Sequence, residues 1–298
     1  MAIRVTQGMI HTQLLSNLYA NTNRLSENQN IAATGKKLNK PADDPVGITY
    51  ALRYRSDLSM NTQYQKNVDA AASYLEHTDT VLGQFDEIIQ RAKELTVQGV
   101  SGSNPQTALD AIAQELGQIY EQAVTLANSQ FNGKYIFNGQ LTDQRPYTSD
   151  TAASDLTDTQ QTQFQLGAGI SIPINLTGNE VLGKPTDGDN LFAVLKGLKD
   201  AFEGGLQTTA SDLMEQLDGR YDKILNSRAE LGARSNRVEL IQGRLTDLTE
   251  NLTALDSKVE DADMAETIMK LQQDQNVYQA SLSVGAKIIQ SSLLDYLK

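Results

Sequence analysis

The chain has 298 residues, of which 39% are hydrophobic, 21% are charged and 6% are aromatic, with neither tryptophan nor cysteine. The lack of cysteine excludes disulfides, thiolate metal sites and cysteine nucleophiles. The formal net charge of -12 at pH 7 disfavours nucleic acid and anionic membranes as partners, because their phosphates would be repelled.

The first predicted element is a weakly amphipathic helix near the N-terminus. Residues Met1–Gly8 contain no apolar stretch and no small-residue cleavage site, so we expect no cleaved secretory signal, and any export would need another route. A seam of alternating four- and three-residue steps follows, and two of its members are asparagines. The seam consists of Leu14, Leu18, Asn21, Leu25, Asn28 and Ala32. Gly35 then stands where a helix C-cap glycine is expected.

A long second helix is predicted to begin at Pro45 and to end near Gln98. Asp44 can cap it, because its carboxylate can accept hydrogen bonds from the free N–H groups of the first turn, and Pro45 has no N–H to lose. Further along, the apolar spacing alternates strictly between three and four residues. These positions are Val68, Ala71, Leu75, Thr78, Leu82, Phe85, Ile89 and Ala92. Gly99–Pro105 is the expected break.

A third helix is predicted after Pro105, antiparallel to the second. Its seam consists of Leu109, Ile112, Leu116, Ile119, Ala123 and Leu126. Beyond Asn128, two Asn-Gly pairs lie among short apolar runs containing Phe131, Tyr135 and Phe137. This pattern predicts a β-hairpin, because both residues of an Asn-Gly pair tolerate positive φ.

The helical period is lost between about Leu141 and Asp189, where Thr, Asp, Gln and Gly dominate. Phe164–Leu166 and Ile170–Ile174 resemble short strands. We therefore predict a small β-rich insertion on the surface over residues 141–189. A single glycosylation sequon begins at Asn175, but one match in a Thr-rich stretch is a weak signal.

Helical patterns return and continue through the C-terminal part of the sequence. A short helix is predicted over Asn190–Glu203, and a long one after it has an apolar residue every seven positions. That repeat is Leu217, Ile224, Leu231, Val238, Leu245, Leu252 and Val259. After a polar break at Glu260–Asp263, the last helix has Ile268, Leu271, Tyr278, Leu282, Ile289 and Leu293 on one face. Charged and amide residues interrupt its apolar run, so it is not a membrane span.

Together these elements predict a mainly α protein. We expect an elongated bundle of long antiparallel heptad-patterned helices formed by both chain halves, with a β-hairpin and a small β-rich inserted domain. Three regions follow from the pattern. They are the terminal helices (1–43 with 262–298), the helical bundle core with the hairpin (44–140 with 190–261) and the insertion (141–189). The terminal seams are weak, so we expect these helices to be disordered in the monomer.

Residues suited to catalysis or metal binding are sparse. His11 and His77 have no second ligand at a metal-binding spacing, and the Asp43–Asp44 pair is better placed for capping than for acid–base chemistry. The acidic residues of the insertion do not follow the spacing of a calcium loop, and are interpreted as solvated surface charge. We predict no catalytic residues, no cofactor and no metal, and hence no enzyme.

Four segments in order resemble the bacterial flagellin and hook-associated family. They are IRVTQGMI from Ile3, GKKLNKPADDPVG from Gly35, SQFNGKYIFNG from Ser129, and SRAELGARSNRVE from Ser227 with the block from Val259 to Lys298. Within the family, Pro41 and Pro45 around the Asp pair and the QNVYQASLSVGAKIIQ run resemble members of the hook–filament junction more than filament flagellins.

The resemblance implies a structural role in the flagellum, connecting the hook to the filament. It implies that the two terminal helices form a coiled coil lining the axial tube, and that the chain is exported unfolded by the flagellar type III apparatus to an extracellular location. The implied partners are flagellin, the first hook-associated protein, further copies of the chain in a ring-like helical assembly, and a cytosolic export chaperone at the C-terminal helix. The implied subunit contacts are Leu14, Leu18, Leu25, Ile268, Leu271, Tyr278, Leu282, Ile289 and Leu293.

Two alternatives stay open at this stage. A minor filament flagellin would carry the same terminal segments and the same helical pattern. A secreted coiled-coil effector or adhesin would share the heptads and the lack of cysteine, and host binding in culture supernatant would identify it. An enzyme would have to place its site in the insertion.

Overall fold

The computed structural model describes residues 7–102 and 104–296, with the side chains of α7 described up to Lys287. It confirms the mainly α prediction: the strands form two separate antiparallel pairs, and helices make up most of the rest. The helices are α1 (Gln7–Thr34), α2 (Pro45–Val100), α3 (Gln106–Ala127), α4 (Gly178–Val181), α5 (Leu191–Glu203), α6 (Gln207–Glu260) and α7 (Met264–Tyr296). The strands are β1 (Gln130–Phe131), β2 (Lys134–Tyr135), β3 (Gln163–Gly167) and β4 (Ile170–Pro173).

The chain divides into two compact units. The terminal unit contains residues 1–60 and 248–298, and the middle unit contains residues 61–247. This division falls inside α2 and α6, whereas the predicted one followed the helix breaks near residues 43 and 262.

In the middle unit, α2 and α6 run antiparallel with their predicted seams buried. Every position of the strict α2 seam is buried, and so are the α6 repeat positions from Leu217 to Leu245. Ion pairs flank this apolar contact: the Arg228 guanidinium lies 2.8 Å from both Asp79 and Asp86, and Lys93 pairs with Asp218. Burial of apolar residues at helical spacing on both helices is what stabilises the pair.

Helices α3 and α5 complete the helical part of this core. The buried α3 face includes Leu109, Leu116 and Ala123, as its spacing predicted. Arg91 of α2 pairs with Glu115 of α3 at 2.7 Å, consistent with the expected antiparallel arrangement. The Asn190 side chain caps α5 by accepting a hydrogen bond from the Ala193 N–H at 3.1 Å.

The predicted hairpin forms at the first Asn-Gly pair. Strands β1 and β2 are antiparallel, with Phe131 opposite Lys134, and Asn132 and Gly133 form the two-residue turn. Both turn residues have positive φ, 52° for Asn132 and 76° for Gly133. Asparagine and glycine adopt this left-handed conformation more readily than other residues, which explains why the pattern was predictive.

The apolar side chains of residues 141–189, which the sequence predicted to form a small β-rich insertion, belong to the same core as the helices. Those side chains are Tyr147, Ala152, Leu166, Ile172, Ile174, Leu176, Val181 and Leu182. The Tyr147 ring packs on Phe192 of α5 at 4.9 Å between centroids, and its backbone exchanges hydrogen bonds with the Asn128 amide. In the sequence these apolar residues stand singly or in short runs among polar ones, so no period revealed that they converge on one interior.

The sequence predicted that the acidic side chains of this segment are solvated surface charge. Several of them instead accept hydrogen bonds that hold the loops in place. Asp155 accepts a hydrogen bond from the Thr148 N–H, and Asp158 accepts one from the Gln140 N–H. Asp189 pairs with the buried guanidinium of Arg220 at 2.6 Å. The sequon residue Asn175 is buried, and its amide bonds to the backbone of Thr162 and Gln160.

The middle-unit core provides a matched pair of leucines on α6. Leu231 is 2% exposed and Leu240 is 76% exposed. We expect Leu231→Ala to lower the free energy of unfolding by about 2–5 kcal/mol, because it leaves a cavity in the seam. Leu240→Ala should change it by less than about 0.5 kcal/mol. Denaturant titration of the two variants checks this, and equal losses would contradict the packing of α6.

Candidate assembly site

The candidate site is the pair formed by α1 and α7 in the terminal unit. On α1 the half-buried positions recur at three- and four-residue steps. The half-buried residues are His11, Leu14, Leu18, Asn21, Leu25, Asn28, Ile31 and Ala32, and the other described positions of the helix are exposed. The α7 positions with reduced exposure are Thr267, Leu271, Asp274, Val277, Tyr278, Ser281 and Gly285. Each helix therefore buries one narrow stripe.

Polar side chains fix the register of this antiparallel pair. The Asn21 amide donates to Ser281 Oγ at 2.7 Å, and the Asn28 amide donates to Asp274 Oδ2 at 2.6 Å. At the other end, a Cβ on Gly285 would lie 3.3 Å from a methyl carbon of Leu14, so the helices approach closely there. Polar residues in a helical seam select one register, but they cost stability compared with leucine.

The predicted contact residues whose side chains the structure describes divide into two groups. Leu14, Leu18 and Leu25 of α1 are half-buried on the stripe, as are Leu271 and Tyr278 of α7. Ile268 and Leu282, each 46% exposed, lie beside the stripe. The side chains of Ile289 and Leu293 lie outside the described residues.

The sequence did not show why Ile268 and Leu282 lie beside the stripe. Thr267 and Ser281, one residue before them, occupy the stripe in their place. Apolar periodicity selects leucine and isoleucine and ignores small polar residues, although these can also pack between close helices.

Exposed apolar side chains are concentrated in the terminal unit. They are Met9, Ile10, Leu15, Tyr19, Val46, Tyr50, Leu52, Met60, Leu248, Leu255, Met264, Ile268, Met269, Leu282 and Val284. Among the described residues of this unit, the buried apolar side chains are only Leu38, Ala51 and Leu252. Apolar surface of this extent is typical of a surface that another protein covers.

Glu260, at the end of α6, organises the loops next to the α1–α7 pair. Its side chain is 1% exposed and accepts a hydrogen bond from Lys36 Nζ at 2.6 Å, and it also pairs with Arg55. Its backbone carbonyl accepts from the Lys37 N–H at 2.7 Å, and the Ala262 N–H donates to the Gly35 carbonyl at 2.9 Å. The loop after α1 is thereby tied to the loop before α7.

Aspartates cap the two helices that begin at these loops. The Asp44 carboxylate accepts from the Val46 N–H at 3.0 Å, with Pro45 at the first helical position. Asp263 accepts from the first turn of α7, including the Ala265 N–H at 2.9 Å. The Asp263 cap was missed because the sequence around it was interpreted only as a polar break. An aspartate just before an apolar-periodic run is the signal that identifies it.

The pKa values of two neighbouring carboxyls on α6 are shifted in opposite directions. Burial acts to raise the pKa of Glu260, but the hydrogen bonds and charges of Lys36 and Arg55 outweigh it and hold that pKa below its ordinary value. The pKa of Asp256, one turn earlier, is raised by burial and by the Glu260 charge. The cluster is therefore arranged to keep Glu260 ionised.

The described residues offer little for catalysis. Among the side chains that the structure describes, which on α7 extend to Lys287, no group of His, Asp and Glu is arranged to hold a metal ion. In the described part of the chain no helix is long and apolar enough to cross a membrane. His11 lies on the α1 stripe, and His77 packs against Phe131 at 5.5 Å between ring centroids. The arrangement is suited to association between helices.

Comparisons with known proteins agree with this arrangement. Residues 5–142 match the bacterial flagellin N-terminal helical region, and residues 214–297 match the bacterial flagellin C-terminal helical region. Both matches include part of the terminal unit and part of the middle unit.

Individual relatives match most of the chain at modest identity. The flagellin of Bacillus subtilis is 27% identical over 96% of this chain and 96% of its own length. Flagellar hook-associated protein 3 of Escherichia coli is also 27% identical, over 84% of this chain and 85% of its own. The crystal structure of Bacillus cereus FlgL is similar with a TM-score of 0.61 and 25% identity, covering 69% of this chain and 99% of that one.

The Glu260 cluster predicts a pH-dependent contribution to stability. At pH 7, Glu260→Gln should lower the free energy of unfolding by about 1–3 kcal/mol, because it weakens charge-assisted hydrogen bonds to a buried group. Glu260 has a lowered pKa in the folded chain, so its contribution is present above its unfolded-state pKa of about 4.3 and is lost as pH falls through its folded-state pKa.

The matched control is Glu266→Gln, which removes an exposed pair with Lys270 on α7. It should change stability much less than Glu260→Gln does, because solvent screens an exposed pair. Denaturant titrations between neutral and acidic pH give both differences. A Glu260→Gln loss no larger than that of Glu266→Gln, or one that persists in acid, would contradict the role of the cluster.

Proposed function

The chain belongs to the bacterial flagellin and hook-associated family, and on this premise we propose that it is the junction protein connecting the hook, through the first hook-associated protein, to the flagellin filament. Membership of the family makes it a structural component of the bacterial flagellum. The junction role, the partners and the route of export are the proposal.

One observation carries the proposed association: the terminal unit exposes many large apolar side chains and buries few. The contact between α1 and α7 consists of half-buried leucines and two asparagines. It therefore buries little apolar surface for two helices of this length. Neighbouring subunits would cover the exposed faces and complete the core. The expected disorder of these helices in the isolated chain has the same cause.

Similarity to FlgL supports the junction role over that of a filament subunit. The Bacillus cereus FlgL structure is covered almost completely by this chain. The loop with Pro41 and Pro45, where Asp43 accepts hydrogen bonds from the Asn39 and Lys40 N–H groups, is the segment whose sequence resembles junction members. A minor filament flagellin is the second candidate, because the Bacillus subtilis flagellin is as identical in sequence to this chain as flagellar hook-associated protein 3 of Escherichia coli.

The proposed partners follow from this role. They are flagellin, the first hook-associated protein and further copies of the chain in a ring-like helical assembly, with no nucleic acid and no membrane among them. A cytosolic export chaperone would hold α7 before export through the flagellar type III apparatus, and the assembled protein would be extracellular. The exposed apolar residues of α7, including Ile268, Met269 and Leu282, offer a surface that a chaperone could bind before export.

Deleting the gene distinguishes the two candidates. Loss of a junction protein should leave hooks without filaments and release flagellin into the medium as monomer. Electron microscopy of the cells and immunoblotting of the supernatant measure both. Filaments of normal length in the deletion strain would reject the junction role and favour a minor flagellin.

Leu282 tests whether the exposed apolar residues serve assembly. Leu282→Asp should leave the melting curve of the purified chain nearly unchanged, because this side chain is 46% exposed and lies beside the helix stripe. Filament attachment should fail, because a charge would be buried against a neighbour without a partner. Melting curves and electron microscopy of the variant strain give the two results.

Leu282→Met is the matched control, because it keeps an apolar side chain of similar volume and should preserve filaments. If Leu282→Asp unfolds the isolated chain, the residue belongs to its core. Normal filaments with Leu282→Asp would exclude this surface from assembly.

A further inference from the structure

The sequence contains the tripeptide Phe-Asn-Gly twice, at residues 131–133 and 137–139, and the fold places the two copies in opposite environments. Asn132 and Gly133 form the exposed turn of the β1–β2 hairpin. A Cβ added to Gly133 would meet no heavy atom within 4 Å, so the space around this peptide is open.

The second asparagine is enclosed. Asn138 is 5% exposed, and its amide nitrogen donates to the carbonyls of Leu141 and Gln144 at 3.1 and 3.0 Å. Its side-chain oxygen accepts from the Asp158 N–H at 3.2 Å. A Cβ on Gly139 would lie 2.5 Å from the Asp158 carbonyl oxygen, so backbone surrounds the peptide after Asn138 as well.

From this contrast we propose that Asn132 is a site of spontaneous deamidation, with water as the reactant, and that the fold protects Asn138 from the same reaction. The inference does not depend on the flagellar role. It rests on the chemistry that an Asn-Gly peptide undergoes when its backbone is accessible and can rearrange.

The reaction needs no oxidant, metal or enzyme. The backbone nitrogen of Gly133 attacks Cγ of Asn132, forming a C–N bond and a five-membered succinimide. The side-chain amide nitrogen leaves as ammonia and takes up the proton from the Gly133 nitrogen. Water then opens the ring at either carbonyl, giving aspartate or isoaspartate. Glycine favours the attack because it has no Cβ to obstruct the nitrogen.

The hairpin itself can open for this step. Asn132, Gly133 and Lys134 are exposed and each strand has only two residues, so the turn can leave its left-handed geometry without breaking buried contacts. At Asn138, the same rotation of Cγ toward the next nitrogen would break three hydrogen bonds inside the middle unit. Breaking buried hydrogen bonds without water to replace them is unfavourable.

The products would alter the hairpin. Either product adds a negative charge, and isoaspartate also adds a methylene to the backbone of a two-residue turn. That extra atom is incompatible with the pairing of Phe131 opposite Lys134. The Phe131 ring lies edge-on to Tyr74 at 5.8 Å, so a shift in register would disturb this contact with α2.

The test is incubation of the purified full chain at mildly alkaline pH, followed by tryptic peptide mass mapping. Lys134 lies between the two asparagines, so trypsin places them in separate peptides. In the folded chain, the deamidated and isoaspartyl fraction should grow at least about tenfold faster at Asn132 than at Asn138. In guanidinium chloride the two rates should become similar, because only the fold distinguishes the sites.

Asn132→Gln is the control variant, and it should remove the signal at position 132 without affecting position 138. Two results would overturn the proposal. The first is equal rates at both sites in the folded chain. The second is an Asn132 that stays intact in the folded chain while the unfolded chain reacts, which would show that the turn geometry protects it.

Discussion

The apolar seam between α2 and α6 is the contact on which the folded middle unit depends. Leucine, isoleucine and valine recur every seven residues on α6 and are buried from Leu217 to Leu245. Burial of each such side chain contributes about 1.5–3 kcal/mol, so several in succession form the largest favourable term available to a pair of helices. The ion pairs of Arg228 with Asp79 and Asp86 lie beside this seam and favour its antiparallel register.

The helix pair of the terminal unit also packs through a periodic stripe, but that stripe buries much less apolar surface. Asn21 and Asn28 replace apolar residues on the α1 stripe, and they bond to Ser281 and Asp274. These hydrogen bonds specify which residues meet, while apolar burial within the pair stays small. Glu260 then ties the loop after α1 to the end of α6, and the caps at Asp44 and Asp263 stabilise the first turns of α2 and α7. A unit held in this way has a defined geometry and keeps apolar surface for other molecules.

Residues 141–189 show how a polar sequence can still contribute to a core. Single apolar residues such as Tyr147, Ile172 and Leu176 point inward, while Asp155, Asp158 and Asp189 hold the connecting loops through backbone and Arg220 contacts. Carboxylates that accept hydrogen bonds from backbone N–H groups satisfy donors that a helix or a strand would otherwise satisfy. The abundance of aspartate in this segment therefore reflects loop architecture as well as surface charge.

By itself, the sequence determined the long helices, their breaks, the β1–β2 hairpin and the positions of the two strands in residues 141–189. These features depend on local spacing, as in the Leu217–Leu245 repeat and the Asn132–Gly133 turn. Only the tertiary structure decided that Ser281 and not Leu282 lies on the α7 stripe, that Tyr147 joins the helical core, and that Asn138 is enclosed while Asn132 is exposed. Each of these outcomes depends on residues distant in sequence, and periodicity along one segment carries no information about which surface will meet it.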